Sequence, residues 1–157
     1  MEINLSSRIF GLVIVPLISF LVVGGISVYQ NSKLYQEAQT SEINMELFDA
    51  TSALIHESQK ERGKSTLYVK KEISISVLES QRQLSSEKIA VYITKLKKTQ
   101  LNQASIEEAG HVLKLLDSAK EATQNNQTAE LQKNYSLAIA KMIELEIVIA
   151  RACATKG

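Results

Sequence analysis

From Ile9 to Tyr29 the chain reads IFGLVIVPLISFLVVGGISVY, 21 residues without a charge. At a rise of about 1.5 Å per residue, a helix of that length spans roughly 30 Å, the thickness of a bilayer's hydrocarbon core. The competing readings are a buried helix of a soluble domain and a cleaved signal peptide. The run is long for the first in a chain of 157 residues. It also exceeds the roughly 7–15 apolar residues of a signal, and GGISVYQNS offers a poor cleavage site. Residues 9–29 therefore read as an uncleaved transmembrane helix, where Pro16 and the Gly24-Gly25 pair are tolerable. Arg8 and the terminal amine precede it against Glu2, and Lys33 with Glu37 follows. The cation balance leans toward a short cytoplasmic leader, residues 1–8, with the bulk of the chain periplasmic or extracellular.

The 128 residues after Tyr29 contain no proline, and only Gly63, Gly110 and Gly157 among glycines. A sheet protein needs turn residues about every 8–12 positions, so the pattern is all-α. ISISV, Ile73 to Val77, is too short to found a sheet and reads as the approach to a helix. Four apolar stripes follow helical spacing. The first is Met45, Phe48, Ser52, Ile55, Gln59, Arg62, Thr66 and Val69. The second is Leu78, Arg82, Ser85, Ile89, Tyr92 and Leu96. The third is Ile106, Ala109, Leu113 and Leu116, with Ser105-Ile106-Glu107-Glu108 read as a capping box at its start. The fourth is Leu131, Tyr135, Ala138, Met142, Leu145, Ile149 and Ala152. TQNNQT, Thr123 to Thr128, separates the last two. Short loops between such helices predict an up-and-down helical bundle behind the transmembrane helix.

Composition narrows function by exclusion. Lys and Arg number 18 against 17 Asp and Glu, a net charge of +1, which is no footprint for nucleic acid. Cys153 is the single cysteine, so no internal disulfide is expected. With only His56 and His111 there is no zinc-ligand spacing, and no metal or other cofactor is expected. Gly-rich phosphate loops and nucleophile motifs are absent from the sequence. His56 and Glu57 are adjacent, and on a helix they point about 100° apart, so they do not form a catalytic pair. The chain does not read as an enzyme.

Arg62 interrupts the first stripe. It stands seven residues from both Ile55 and Val69, in nearly the same helical direction. A guanidinium directed inward needs an anion, because burying it unpaired costs several kcal/mol. One reading is an ion pair with a carboxylate of another helix, such as Glu144 or Glu146. A second lets the side chain snorkel outward. A third has Arg62 wait for an exogenous anion, its planar fork suiting a flat trigonal oxyanion. Close approach of a neighbouring helix would rationalise Gly63, which costs about 1 kcal/mol in a helix interior.

The run SALIHESQKERGKST, Ser52 to Thr66, resembles the first helix of the nitrate- and nitrite-sensing (NIT) domain of bacterial membrane receptors, found in methyl-accepting chemotaxis proteins. The likeness rests on Leu54, His56, Glu57, Gln59, Lys60, Glu61, Arg62, Gly63 and Ser65. Gln81-Arg82-Gln83 in a second helix and Asn134-Tyr135-Ser136 opening a late one fit the same layout. The resemblance implies a helical extracytoplasmic sensor that binds nitrate or nitrite between helices, within residues 30–157. It implies Arg62 as the main anion ligand, with Gln59 and Thr66 as further candidate ligands. Glu61, Gly63 and Ser65 are then motif and helix-packing positions. Family domains are about twice as long and carry a later Lys-Glu/Glu-Arg motif that is not found after Arg62, so the bundle is expected to be incomplete at its C-terminal side. Signal transduction from the cell membrane, with homodimerisation through the helices, is the function this implies. The alternative is a membrane-anchored helical interaction or adaptor protein without a small-molecule ligand.

Overall fold

The computed structural model describes residues 5–99 and 101–154, with side chains described over 14–99 and 101–153. Every element among the described residues is a helix: α1 (Leu5–Val69), α2 (Ile75–Leu96), α3 (Gln103–Gln124) and α4 (Thr128–Ala154). No strand occurs among them. The chain divides into two compact units, Met1–Gln39 and Thr40–Gly157.

The first unit holds the apolar part of α1, which among the described residues is the one helix long and apolar enough to cross a membrane. Its large side chains are exposed, Phe20 to 83 %. Such side chains suit an apolar surrounding, each gaining about 1.5–3 kcal/mol on leaving water. Pro16 removes one intrahelical donor. Residues 1–4 and the Arg8 side chain, on which the expected leader and orientation rest, lie outside the described residues.

In the second unit, side chains from all four helices share one core. The α4 stripe is buried as its spacing predicts, from Leu131 through Tyr135, Ala138, Met142 and Leu145 to Ile149, with Ala152 half-buried. On α2, Leu78, Ser85 and Tyr92 are buried, joined by Gln81, while Arg82, Ile89 and Leu96 are half-buried. On α3, Ala109 and Leu116 are buried, but Val112 takes the place expected for Leu113, and Ile106 is exposed.

The α1 stripe differs from expectation. The buried face runs through Leu47, Thr51, Leu54, Ser58, Glu61 and Ser65; of the expected stripe Ile55 is in the core and Phe48 and Val69 pack against it, while Met45 and Gln59 are exposed and Arg62 half-buried. Four of those six residues are polar, and apolar counting therefore selects the neighbouring stripe, displaced by one residue or about 100°. Buried polar groups persist where they find partners. Thr51 Oγ1, for example, donates to Leu47 O at 2.8 Å.

Helix ends follow local hydrogen bonding. The cap of α3 is Asn102, whose Oδ1 accepts from Ser105 N at 2.9 Å, which corrects the reading of Ser105 as the start. Asn caps as well as Ser does, and Glu108 bonds Lys141 instead of closing a capping box. After α3, Asn126 takes φ 54° and Gln127 N donates to Ala122 O at 2.8 Å. After α1, Lys71 takes φ 62°, and Glu72 N donates to Leu67 O at 2.9 Å. Both are left-handed closures that satisfy the last carbonyls of a helix.

Polar pairs give the relative directions. Asn44 meets Thr99, Glu46 meets Lys95, Glu57 meets Gln81 and Glu61 meets Arg82. Ser52 meets Glu146, while Glu61 meets Tyr135. Numbers rise on α1 as they fall on α2 and α4, so α1 runs antiparallel to both within the second unit.

Candidate functional site

Residues 57–66 of α1 serve two neighbouring but separate polar regions. The inner one lies on the core face. Glu61 is only 2 % exposed and accepts from the Tyr135 hydroxyl at 2.8 Å. Arg82 Nε stands 3.7 Å from the same Glu61 oxygen, and its Nη2 donates to Lys120 O at 3.3 Å. One turn earlier, Glu57 accepts from Lys60 Nζ at 2.9 Å and from Gln81 Nε2 at 2.6 Å. Those bonds, Lys60 first and Gln81 second, hold the Glu57 carboxyl below its ordinary pKa. The Tyr135 phenol is pushed well above its ordinary pKa, first by burial and then by the Glu61 charge beside it. Two carboxylates thus face two cations, and the layer is balanced internally.

The outer region is the groove between α1 and α4. Arg62 is half-buried, and its Nη1 donates to Ser136 Oγ at 3.2 Å. Thr66 Oγ1 donates to Arg62 O at 2.9 Å, folding its hydroxyl toward the same place. Arg62, Gly63, Thr66, Gln132 and Ser136 line a cleft of about 320 Å³. A guanidinium, the Ser136 hydroxyl and an amide supply donors there, the Thr66 hydrogen being spent on Arg62 O, and no carboxylate is among the lining side chains. Such a donor set suits a small anion, because the guanidinium fork offers parallel N–H groups and Ser136 keeps its own O–H to donate.

Of the residues singled out in the sequence, Arg62, Gly63 and Thr66 come together at this cleft. Gln59 is exposed and does not line it. Its position one turn before Arg62 carries it past the rim. Glu61 and Ser65 are buried. Gly63 is exposed, and a Cβ added to it would meet nothing within 4 Å, so no neighbouring helix requires a glycine there. Neither Glu144 nor Glu146 is the partner of Arg62, and Glu146 accepts from Ser52. Gln132 and Ser136 were not legible as ligands. Their signals are an i, i+4 spacing on the exposed side of the α4 stripe and, for Ser136, its place in Asn134-Tyr135-Ser136. His56 is exposed and Glu57 buried, so the two face different surroundings. Among the described residues, no group of three or more His, Cys, Asp or Glu side chains gathers closely enough to hold a metal ion.

Further along the α1/α4 groove, Met45, Phe48, Ala150 and Cys153 line an apolar cleft of about 210 Å³. The groove is therefore polar at the Arg62 end and apolar at the Cys153 end.

No family model, curated protein or solved structure matches this chain.

Proposed function

We propose that this chain is the sensory region of a bacterial membrane receptor that binds a small oxyanion, nitrate or nitrite, at Arg62. The observation that supports the reading is the cleft's donor set: Arg62, Gln132 and Ser136 converge with no carboxylate among the lining residues, while Thr66 spends its hydroxyl hydrogen on Arg62 O. The likeness of Ser52–Thr66 to the nitrate- and nitrite-sensing domain points the same way. In this reading residues 9–29 cross the membrane, residues 30–157 form an up-and-down bundle on its outer side, and two copies associate through their helices. The output is a signal, as in a chemotaxis receptor, and not a reaction.

Anion binding would act through two adjacent rungs between α1 and α4. The outer rung is Arg62 to Ser136, and the inner is Glu61 to Tyr135. An anion that takes the guanidinium from Ser136 loosens the outer rung while the inner one holds. The two helices then meet differently, and α1 carries that change, since a ligand moves an equilibrium only through differential contacts.

A second reading, an adaptor without a ligand, draws on the apolar cleft of Met45, Phe48, Ala150 and Cys153, which suits an apolar side chain of a partner helix. Calorimetric titration of the full chain in detergent separates the two. Saturable heat with nitrate or nitrite, and none with chloride or sulfate at the same ionic strength, supports the sensor. Indistinguishable heats for all four anions would overturn it.

A further inference from the structure

Between α1 and α2 lies another cleft of about 320 Å³, and its two edges carry opposite charge. Ala53 and Val91 give it an apolar floor, Glu46 and Asp49 stand on the α1 edge, and Lys88 and Lys95 stand on the α2 edge. Glu46 pairs with Lys95 at 2.8 Å, which sets residues 46–53 level with residues 88–95. Asp49 and Lys88 are both exposed, and neither has a charged partner among the described residues. The apolar floor continues beyond the cleft. In steps of seven residues, which return to nearly the same helical direction, Val91 leads back to Leu84 and Val77, and Ala53 leads on to Leu67. Leu67, Val77, Leu84 and Val91 are all exposed. Contiguous apolar surface with a polar rim marks an interaction site.

We propose that this α1/α2 face binds the same face of a second copy of the chain, about a two-fold axis parallel to α1 and α2. The inference gives a location to the association of two copies in the reading above, and it rests on the membrane span of that reading, which makes copies in one bilayer point the same way. Such an axis leaves heights unchanged and exchanges the edges, so α1 of each copy faces α2 of the other. The acidic edge then meets the basic edge twice, and Asp49 of each copy meets the partner's Lys88. A face with edges of opposite sign is in this way complementary to itself, and the apolar stripes close on each other between the edges.

The experiment follows sedimentation of the full chain in detergent at low ionic strength, with Asp49→Lys, Lys88→Glu, Leu84→Glu and, on α4, Ile147→Glu. All four positions are exposed, so each variant should keep the wild-type helical content. The wild type is expected to be a dimer. Asp49→Lys and Lys88→Glu should each weaken the dimer about tenfold, since each sets two like-charged pairs in the contact. An equimolar mixture of these two should regain the wild-type affinity, because both pairs of the mixed dimer are again of opposite sign. Pairing within one copy cannot produce that recovery. Leu84→Glu should be monomeric. Ile147→Glu, at an exposed apolar position that does not line this cleft, should dimerise as the wild type does. A monomeric wild type would overturn the proposal and leave the face to a different partner. A dimer that survives Leu84→Glu, a dimer lost in Ile147→Glu, or a mixture no tighter than its components would each overturn it as well. No anion is added, so a failure here leaves the Arg62 reading standing, and a failure of that reading leaves the dimer standing.

Discussion

The polar layer around Glu61 and the cleft around Arg62 start one residue apart on α1 and use similar groups to opposite ends. In the layer, each carboxylate meets one cation and one neutral donor: Glu61 has Arg82 and Tyr135, and Glu57 has Lys60 and Gln81. In the cleft, Arg62 has a neutral hydroxyl, Ser136, and a solvent-facing hollow. A buried ion is tolerable only when compensated where it lies, whereas a half-buried guanidinium keeps donors to spare. The difference teaches that charge alone does not mark a ligand site. What marks it is a guanidinium that opens on a solvent-facing hollow with no carboxylate beside it.

The largest expected effect sharpens this contrast between the two arginines. Arg82→Met strands Glu61, which is 2 % exposed, and should cost roughly 3–5 kcal/mol in denaturant unfolding. Arg62→Met gives up one bond to a neutral, exposed partner and should cost no more than about 1 kcal/mol. Equal costs would erase the distinction between layer and cleft. Next in size is Tyr135→Phe, which removes the donor to a buried carboxylate and should cost about 2 kcal/mol. Ser136→Ala, on the adjacent outer rung, should change stability by less than half as much.

The acid limb of stability offers a finer test. The Glu57 carboxyl is held below its ordinary value of 4.5 in the folded protein. Its contribution is therefore fully present above the unfolded value and lost as pH falls through the folded one. Glu57→Gln should flatten the decline in unfolding temperature below about pH 4.5, and Lys60→Met should do the same in part. An unchanged acid limb would place Glu57 outside the balanced layer. The smallest effect lies away from both regions. Lys71 closes α1 with φ 62°, so Lys71→Gly should gain about 0.5–1 kcal/mol without altering either the layer or the cleft.

The two regions also explain which parts of the fold were legible in the sequence. The α4 face was plain, because Leu131 through Ile149 is apolar at nearly every inward position. The α1 face was not. Its inward positions include Thr51, Ser58, Glu61 and Ser65, which apolar counting passes over, and the Glu61 partners Tyr135 and Arg82 lie far away in sequence, where no local period encodes them. Apolar counting selects Met45, Phe48, Ile55 and Arg62 instead; Ile55 reaches the core and Phe48 packs against it, while Met45 and Arg62 line clefts beside α4. Arg62 is thus noticed for breaking a pattern that belongs to the neighbouring face. The start of α3 was misplaced for a similar reason, since Asn102 supplies the cap three residues ahead of the more conspicuous Ser105. Of the cleft, Arg62 and Thr66 were legible, while Gln132 and Ser136 depend on where α4 lands against α1.

The central claim, that Arg62 holds unspent donor capacity for an oxyanion, is tested most directly by the nitrate-induced change in unfolding temperature of the full chain, measured in wild type and Arg62→Met. Only a ligand bound to the native state raises that temperature, and the rise grows with ligand concentration. The account predicts a saturable rise in wild type, an Arg62→Met protein of nearly wild-type stability without nitrate, and no rise when nitrate is added to it. Equal nitrate-dependent rises in the two proteins, or no rise in either, would contradict it.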